Sequence, residues 1–269
     1  MLRKLSKLFE MRRFVIVLIL FIGLVFVPEI TAQSTYEITI SAAISLKNAF
    51  EDIGRIFQER NPGTKLLFNF GASGDLARQI EAGAPVDVFA SAAKKDVDDL
   101  DQKDMIIKST RKDFVGNRVV LIIPAKSAIL LTSFNDLRRG EFQKIAIGNP
   151  KTVPAGQYAE EVLRYFNLWD GVKDRLIFAE NVRQVLDYVA RGEVDAGMVY
   201  STDALVRAKE VKVVAEAPEQ SHRPVIYPIA VVKGSKKESL AREFITLVTS
   251  KEGEKVLERY GFRVSGQRK

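Results

Sequence analysis

The sequence predicts an α/β fold with mainly parallel sheets, and three observations carry that prediction. Short β-rich runs alternate with helical patterns from Tyr36 onward, the order that lays helices on the faces of parallel strands. The helical stretches repeat their apolar residues at the 3.6-residue period. The composition, 46% hydrophobic and 28% charged over 269 residues, is globular and sufficient for one large domain or two lobes. No internal repeat and no low-complexity linker interrupts the chain. A two-lobed fold with several chain crossings needs no such linker.

The predicted strands, in order, are "YEITISA", "KLLFNF", "VDVFAS", "RVVLIIP", "KIAIGN", "VDAGMVY" and "IYPIAVV". Each is short, rich in β-branched or aromatic residues and bounded by turn-forming residues. The first helix is "SLKNAFEDIGRIFQER", where Leu46, Ala49, Phe50, Ile53, Ile56 and Phe57 fall on one face. Further helices begin near Ser73, Ala155 and Val182, and two more fill Lys236 to Tyr260. The acid-rich "KKDVDDLDQKD" has helical spacing, with Val97 and Leu100 inward, and reads as a solvated face.

The first 32 residues read as an export signal. A basic stretch precedes "FVIVLILFIGLVFV", Phe14 to Val27, an apolar run of signal-core length that is short for a membrane span. A cut after Ala32 is expected, although Ile30 is bulkier than the small residue usual at that place. An uncleaved anchor is the alternative. The chain has no cysteine, which excludes a lipid anchor on cysteine, disulfides and thiolate metal sites and suits a periplasmic location. The formal net charge is +7; outside the first 32 residues, 36 basic residues stand against 32 acidic ones. That excess is scattered, with no basic-aromatic cluster, so nucleic acid is not implied.

Four places share one grammar of strand, small-residue turn and helix: "SAAISLKNAF", "FGASGDLARQI", "NPKTVPAGQYAEEVL" and "AENVRQVLDYV". Helix N-termini carry unpaired N–H donors and a partial positive charge, so each is able to hold an anion. In open α/β sheets such turns gather at the carboxyl ends of strands, where ligands bind. On grammar alone, Ser45 and Ser73 are N-caps.

An enzyme would use Ser73 as a nucleophile. "GASGD" departs from the G-x-S-x-G elbow at Asp75, and a serine triad would have to use His222, in the polar "EQSHRP". A surface or hinge histidine is the simpler reading. One histidine and no cysteine also leave a zinc or copper site without ligands. Trp169 in "FNLWDGV" reads as packing, and Tyr200 taken alone reads as core.

The segments "AAISLKNAF", "GASGDLARQIEAGAPVDVFASA", "GNRVVLIIP", "NPKTVPAGQYAEEVL", "AENVRQVLDYVARGEVDAGMVYSTDA", "YPIAVVKGS" and "EGEKVLERYGF", in this order from about Ile38 to Phe262, resemble the periplasmic molybdate-binding proteins of molybdate ABC transporters. The resemblance implies a two-lobed periplasmic-binding fold of type II. Lobe one is then residues 36–115 plus 226–265 and lobe two residues 116–225, with crossings near Phe114–Asn117 and Pro224–Tyr227. It implies five ligand residues. Ser45 and Ser73 donate through hydroxyl and backbone N–H, Ala155 and Val182 through backbone N–H, and Tyr200 through its phenol. Molybdenum is then held only as the oxyanion. It implies no catalysis and no cofactor, and a monomer that delivers its anion to a membrane permease working with a cytoplasmic ATPase.

Those donors suit the ion. Molybdate near neutral pH is a fully deprotonated, acceptor-only dianion. Hydrogen bonds to a charged acceptor contribute about 1.5–3 kcal/mol each, and helix dipoles add to them, so no Lys or Arg is required. Tungstate matches molybdate in charge and size. Phosphate retains a proton that a donor-only site leaves unpaired, and sulfate is smaller. A carrier of sulfate, phosphate or another anion on the same fold is the alternative. Two departures from the family pattern bear on that choice. Asp75 stands where a neutral residue is expected, either capping its helix outward or facing the anion, and Ile44 replaces a small residue beside Ser45.

Overall fold

In the computed structural model, residues 36–129 and 131–264 are described. The predicted signal (residues 1–32), its cleavage near Ala32 and residue 265 of the predicted lobe one lie outside them. Among the described residues no helix is long and apolar enough to cross a membrane.

The chain opens with β1 (Tyr36–Ala43), whose Ile38, Ile40 and Ala42 are fully buried. A single 3-10 turn (Ile44–Leu46) leads into α1 (Lys47–Arg60). As the period requires, α1 buries Ala49, Phe50, Ile53 and Phe57. Next come β2 (Thr64–Gly71), α2 (Ser73–Glu81), β3 (Val88–Ala90), α3 (Lys94–Gln102) and β4 (Lys112–Gly116).

The chain then enters a second set of strands through β5 (Val119–Pro124) and β6 (Ile145–Gly148). The helices α4 (Pro154–Tyr165) and α5 (Trp169–Val172) follow, then β7 (Leu176–Ala179), α6 (Val182–Ala190), β8 (Ala196–Tyr200), α7 (Ser201–Val206) and β9 (Val211–Glu216). It returns through β10 (Ile226–Val231) and closes with α8 (Glu238–Val248), α9 (Lys251–Arg259) and β11 (Arg263–Val264).

Two sheets result, ordered β11-β4-β10-β3-β1-β2 and β7-β6-β8-β5-β9. In the first, β1 pairs in parallel with both β2 and β3; in the second, β6 pairs in parallel with β7 and β8. The strands that carry the chain between sheets run the other way. β10 is antiparallel to β3 and β4, and β5 is antiparallel to β8 and β9. The chain passes from first sheet to second between Gly116 and Val119, and back between Glu216 and Ile226.

The sequence reading missed β4, β7, β9 and β11. They are short, and β4 buries only two of its five residues and β9 only one of its six, so neither shows the buried apolar run that marked the other strands. The acid-rich helix α3 departs from expectation at one residue. Asp96 is turned inward with Val97 and Leu100, at 7% exposure, and is not solvated.

Candidate functional site

The parallel strands β1, β2, β6 and β7 end in the four turns singled out by their grammar, and a helix starts from each. Ser45 and Ser73 turn out not to be N-caps. Ala43 and Ala72 occupy the cap positions, Ser45 is the middle of the 3-10 turn, and Ser73 is the first residue of α2. The Ser73 hydroxyl accepts the backbone N–H of Ala92 at 3.0 Å, so its own proton is left to donate elsewhere. The Ser45 hydroxyl meets the Tyr227 hydroxyl at 3.0 Å.

On the second sheet, α4 begins with Pro154, which has no N–H, so Ala155 supplies the helix's first donor. Gly156 makes this placement possible: a Cβ there would lie 1.9 Å from the Gly148 carbonyl oxygen at the end of β6. Helix α6 is capped by Asn181, whose side chain accepts the N–H of Gln184 at 3.0 Å. The cap thus satisfies the third residue of the helix. The N–H of Val182, the first residue, has no partner within the helix.

All five candidate residues, Ser45, Ser73, Ala155, Val182 and Tyr200, line one small cavity, together with Ala43, Ile44, Gly71, Ala72, Ala92, Val153 and Pro154. The cavity is small, with room of about 10 Å³. That suits a small inorganic ion and no organic ligand of ordinary size. No lining side chain is charged. The lining is alkyl groups, hydroxyls and the starts of four helical segments, whose free N–H groups and dipoles favour an anion.

Tyr200 is 1% exposed, and its hydroxyl is buried with no hydrogen-bond partner. Burial pushes its phenol well above the ordinary value, so it remains a donor. An orphaned buried donor is costly unless a ligand engages it.

Asp75 pairs with Arg78 at the surface and does not line the cavity, whereas Ile44 does. His222 also lies outside the lining; it is half-buried, with Nδ1 2.7 Å from the Arg223 carbonyl oxygen, and meets Tyr158 edge-on. Trp169 packs under the Arg164 guanidinium. Among the described residues no cluster of His, Cys, Asp and Glu is able to hold a metal ion.

Among the described residues, hydrogen bonds link the helices of one sheet to those of the other. The Gly74 N–H donates to the Thr152 carbonyl at 3.0 Å, and the Arg183 guanidinium reaches Asn48 Oδ1 at 3.3 and 3.4 Å. Sequence reasoning missed both, and also Asp203, which is fully buried with Arg183 Nη2 3.3 Å from its Oδ1. Burial raises the Asp203 carboxyl to about 6 against the pull of Arg183.

Residues 38–263 match the family model of bacterial extracellular solute-binding proteins. The molybdate-binding protein ModA of Haemophilus influenzae is 43% identical over 232 residues, which are 84% of this chain and 89% of that one. The solved substrate-binding domain of a putative molybdenum ABC transporter from Clostridium difficile is 41% identical, with a TM-score of 0.66, covering 85% of this chain and 99% of that chain. The periplasmic molybdate-binding protein of Azotobacter vinelandii, at 22% identity, shares the fold with a TM-score of 0.76 over 84% of this chain and 99% of its own. The architecture is therefore the two-lobed type II fold of periplasmic binding proteins, and the chain belongs to the bacterial extracellular solute-binding proteins, among the ModA type.

Proposed function

We propose that this protein captures molybdate, and also tungstate, outside the cytoplasm and delivers it to the permease of an ABC transporter driven by a cytoplasmic ATPase. It acts as a monomer and without chemistry. The exported chain loses its signal near Ala32 and works in the periplasm. Lobe one comprises residues 36–115 and 226–265, and lobe two residues 116–225. The open lobes admit the anion, and donors from both favour closure. A ligand shifts that equilibrium only by its differential affinity for the closed form.

The observation that carries this reading is the cavity's hydrogen-bond bookkeeping. Tyr200 brings a buried hydroxyl without a partner, and Ser73 a hydroxyl whose oxygen is already accepting. The backbone N–H groups of Ala155 and Val182 stand at helix starts. Every polar group so placed is a donor, and an acceptor-only dianion is their complement. The relatives named for molybdate support that ion over sulfate within the same fold.

Ser73 as a nucleophile has no support in the geometry, since His222 makes its contacts elsewhere. Calorimetric titration of the mature protein with molybdate, tungstate, sulfate and phosphate tests the proposal. Tight one-to-one binding of molybdate and tungstate alone is expected. Binding of phosphate or sulfate in their place overturns the choice of ion.

A further inference from the structure

Ser45 stands at the end of a chain of hydrogen bonds whose direction is set at the far end. The backbone N–H of Arg118 donates to Asn117 Oδ1 at 2.9 Å, and the Ser201 hydroxyl donates to the same oxygen at 3.2 Å. A backbone N–H can only donate, so the amide of Asn117 has one orientation, with its nitrogen facing the other way. That nitrogen donates to Thr202 Oγ1 at 2.8 Å and to Tyr227 Oη at 3.2 Å.

Tyr227 is fully buried, and its hydroxyl lies between Asn117 and Ser45. Its oxygen accepts from Asn117, and Ser45 Oγ, 3.0 Å away, is the acceptor within reach of its single proton, so we infer that Tyr227 donates to Ser45. Ser45 therefore accepts from the protein. Its own proton takes the remaining direction, into the cavity it lines. Ser73 reaches the same polarity in one step, from the Ala92 backbone N–H. Ser45 reaches it through two side chains, neither of which lines the cavity.

We propose that Asn117 and Tyr227 are positioning residues that make Ser45 an obligate donor and so set the site against anions that carry a proton. The inference rests on the oxyanion reading above and assigns its selectivity to residues outside the cavity. Asn117 also lies in the segment by which the chain first passes between sheets, and it bonds to Ser201 and Thr202 beside Tyr200. The same amide thus ties the Ser45 side of the cavity to the Tyr200 side.

Tyr227→Phe keeps the ring in its contacts with Phe114, Phe262 and Tyr200 and removes the relay. Ser45 is then free to turn a lone pair toward the ligand and accept a proton from it. The measurement is the affinity for molybdate and for hydrogen phosphate at about pH 8, where phosphate is also a dianion but keeps one proton.

The expected result for Tyr227→Phe is a several-fold loss of molybdate affinity with stronger phosphate binding, so that the molybdate-to-phosphate ratio falls about tenfold or more. Ser73→Ala, which removes a donor without freeing an acceptor, lowers molybdate affinity without strengthening phosphate binding. Asn117→Ala, which leaves the tyrosine but frees its proton to turn, moves the ratio in the same direction as Tyr227→Phe and decides the matter should the latter fail to fold. An unchanged ratio, or equal losses for both ions, in a folded variant overturns the relay while leaving the oxyanion site standing. Absence of oxyanion binding by the unaltered protein overturns the site itself and the relay with it.

Discussion

The two sides of the cavity present donors to the same small space by different means. On the first sheet's side the donors include side-chain hydroxyls, Ser45 and Ser73, whose oxygens are engaged by Tyr227 and Ala92. On the second sheet's side Ala155 and Val182 present backbone N–H groups at the starts of α4 and α6, and Tyr200 adds an unpartnered phenol. A hydroxyl can donate or accept, so its polarity depends on what surrounds it. A backbone N–H donates in any surroundings. Polarity on the first side is therefore set by neighbours, and on the second mostly by the path of the chain.

The sharpest way to break this comparison is at Val182. Val182→Ala leaves the N–H in place and should change affinity less than about threefold. Val182→Pro deletes the N–H at a first helical position where proline is well accepted. It should weaken molybdate binding about 10- to 150-fold, the value of one hydrogen bond to a charged acceptor at about 1.5–3 kcal/mol. Calorimetry reads both; similar affinities in the two variants would show that the second side does not bind through its backbone.

Gly74 lies where the two sides meet. Its N–H bonds the Thr152 carbonyl, and a Cβ at this position would stand 2.7 Å from that oxygen. Gly74→Ala should prop the lobes apart, lowering affinity about tenfold by taxing the closed state. Small-angle scattering of the ligand-bound variant should show a larger radius of gyration than the ligand-bound parent. Full affinity with unchanged dimensions would mean that closure does not need this contact.

A smaller effect comes from Asp96, behind the first side. Burial raises its carboxyl to about 6, against the hydrogen bond from Ser91 at 2.7 Å. The Ser91 hydroxyl also lies 2.8 Å from the Ala93 carbonyl oxygen and has one proton to give, so a protonated Asp96 completes the set by donating to Ser91. A carboxyl raised above its unfolded value stabilises the fold when protonated, and that stabilisation fades as the pH rises through about 6. Asp96→Asn should match the parent's melting temperature only below about pH 4, gain on it as the pH rises through about 6, and exceed it by a few degrees near pH 7. A difference that does not change with pH would place the ionised form in the fold.

Much of this was legible in the sequence because it lies on the backbone grammar. Strand, small-residue turn and helix located four helix starts, and the family resemblance named the five residues that the fold brings to one cavity. The roles of Ser45 and Ser73 as other than N-caps were not legible. Whether a serine caps its helix depends on a one-residue offset and on donors distant in sequence, Ala92 and Tyr227. The relay from Asn117 was hidden for the same reason, since it joins residues 110 and 182 positions apart. Asp96 was misread because a run of acids at helical spacing does not reveal which one faces inward. Asp75, paired outward with Arg78, followed the first-turn rule.

The central claim is that the free protein holds donors in readiness for an anion, and Tyr200→Phe tests it most directly. The substitution removes one hydroxyl from a fully packed ring. Calorimetry should show molybdate affinity falling by at least about tenfold. The melting temperature of the ligand-free variant should hold or rise, because an unpartnered buried hydroxyl does not stabilise the fold. Unchanged affinity, or a marked loss of stability without ligand, would contradict the account by making that hydroxyl part of the core.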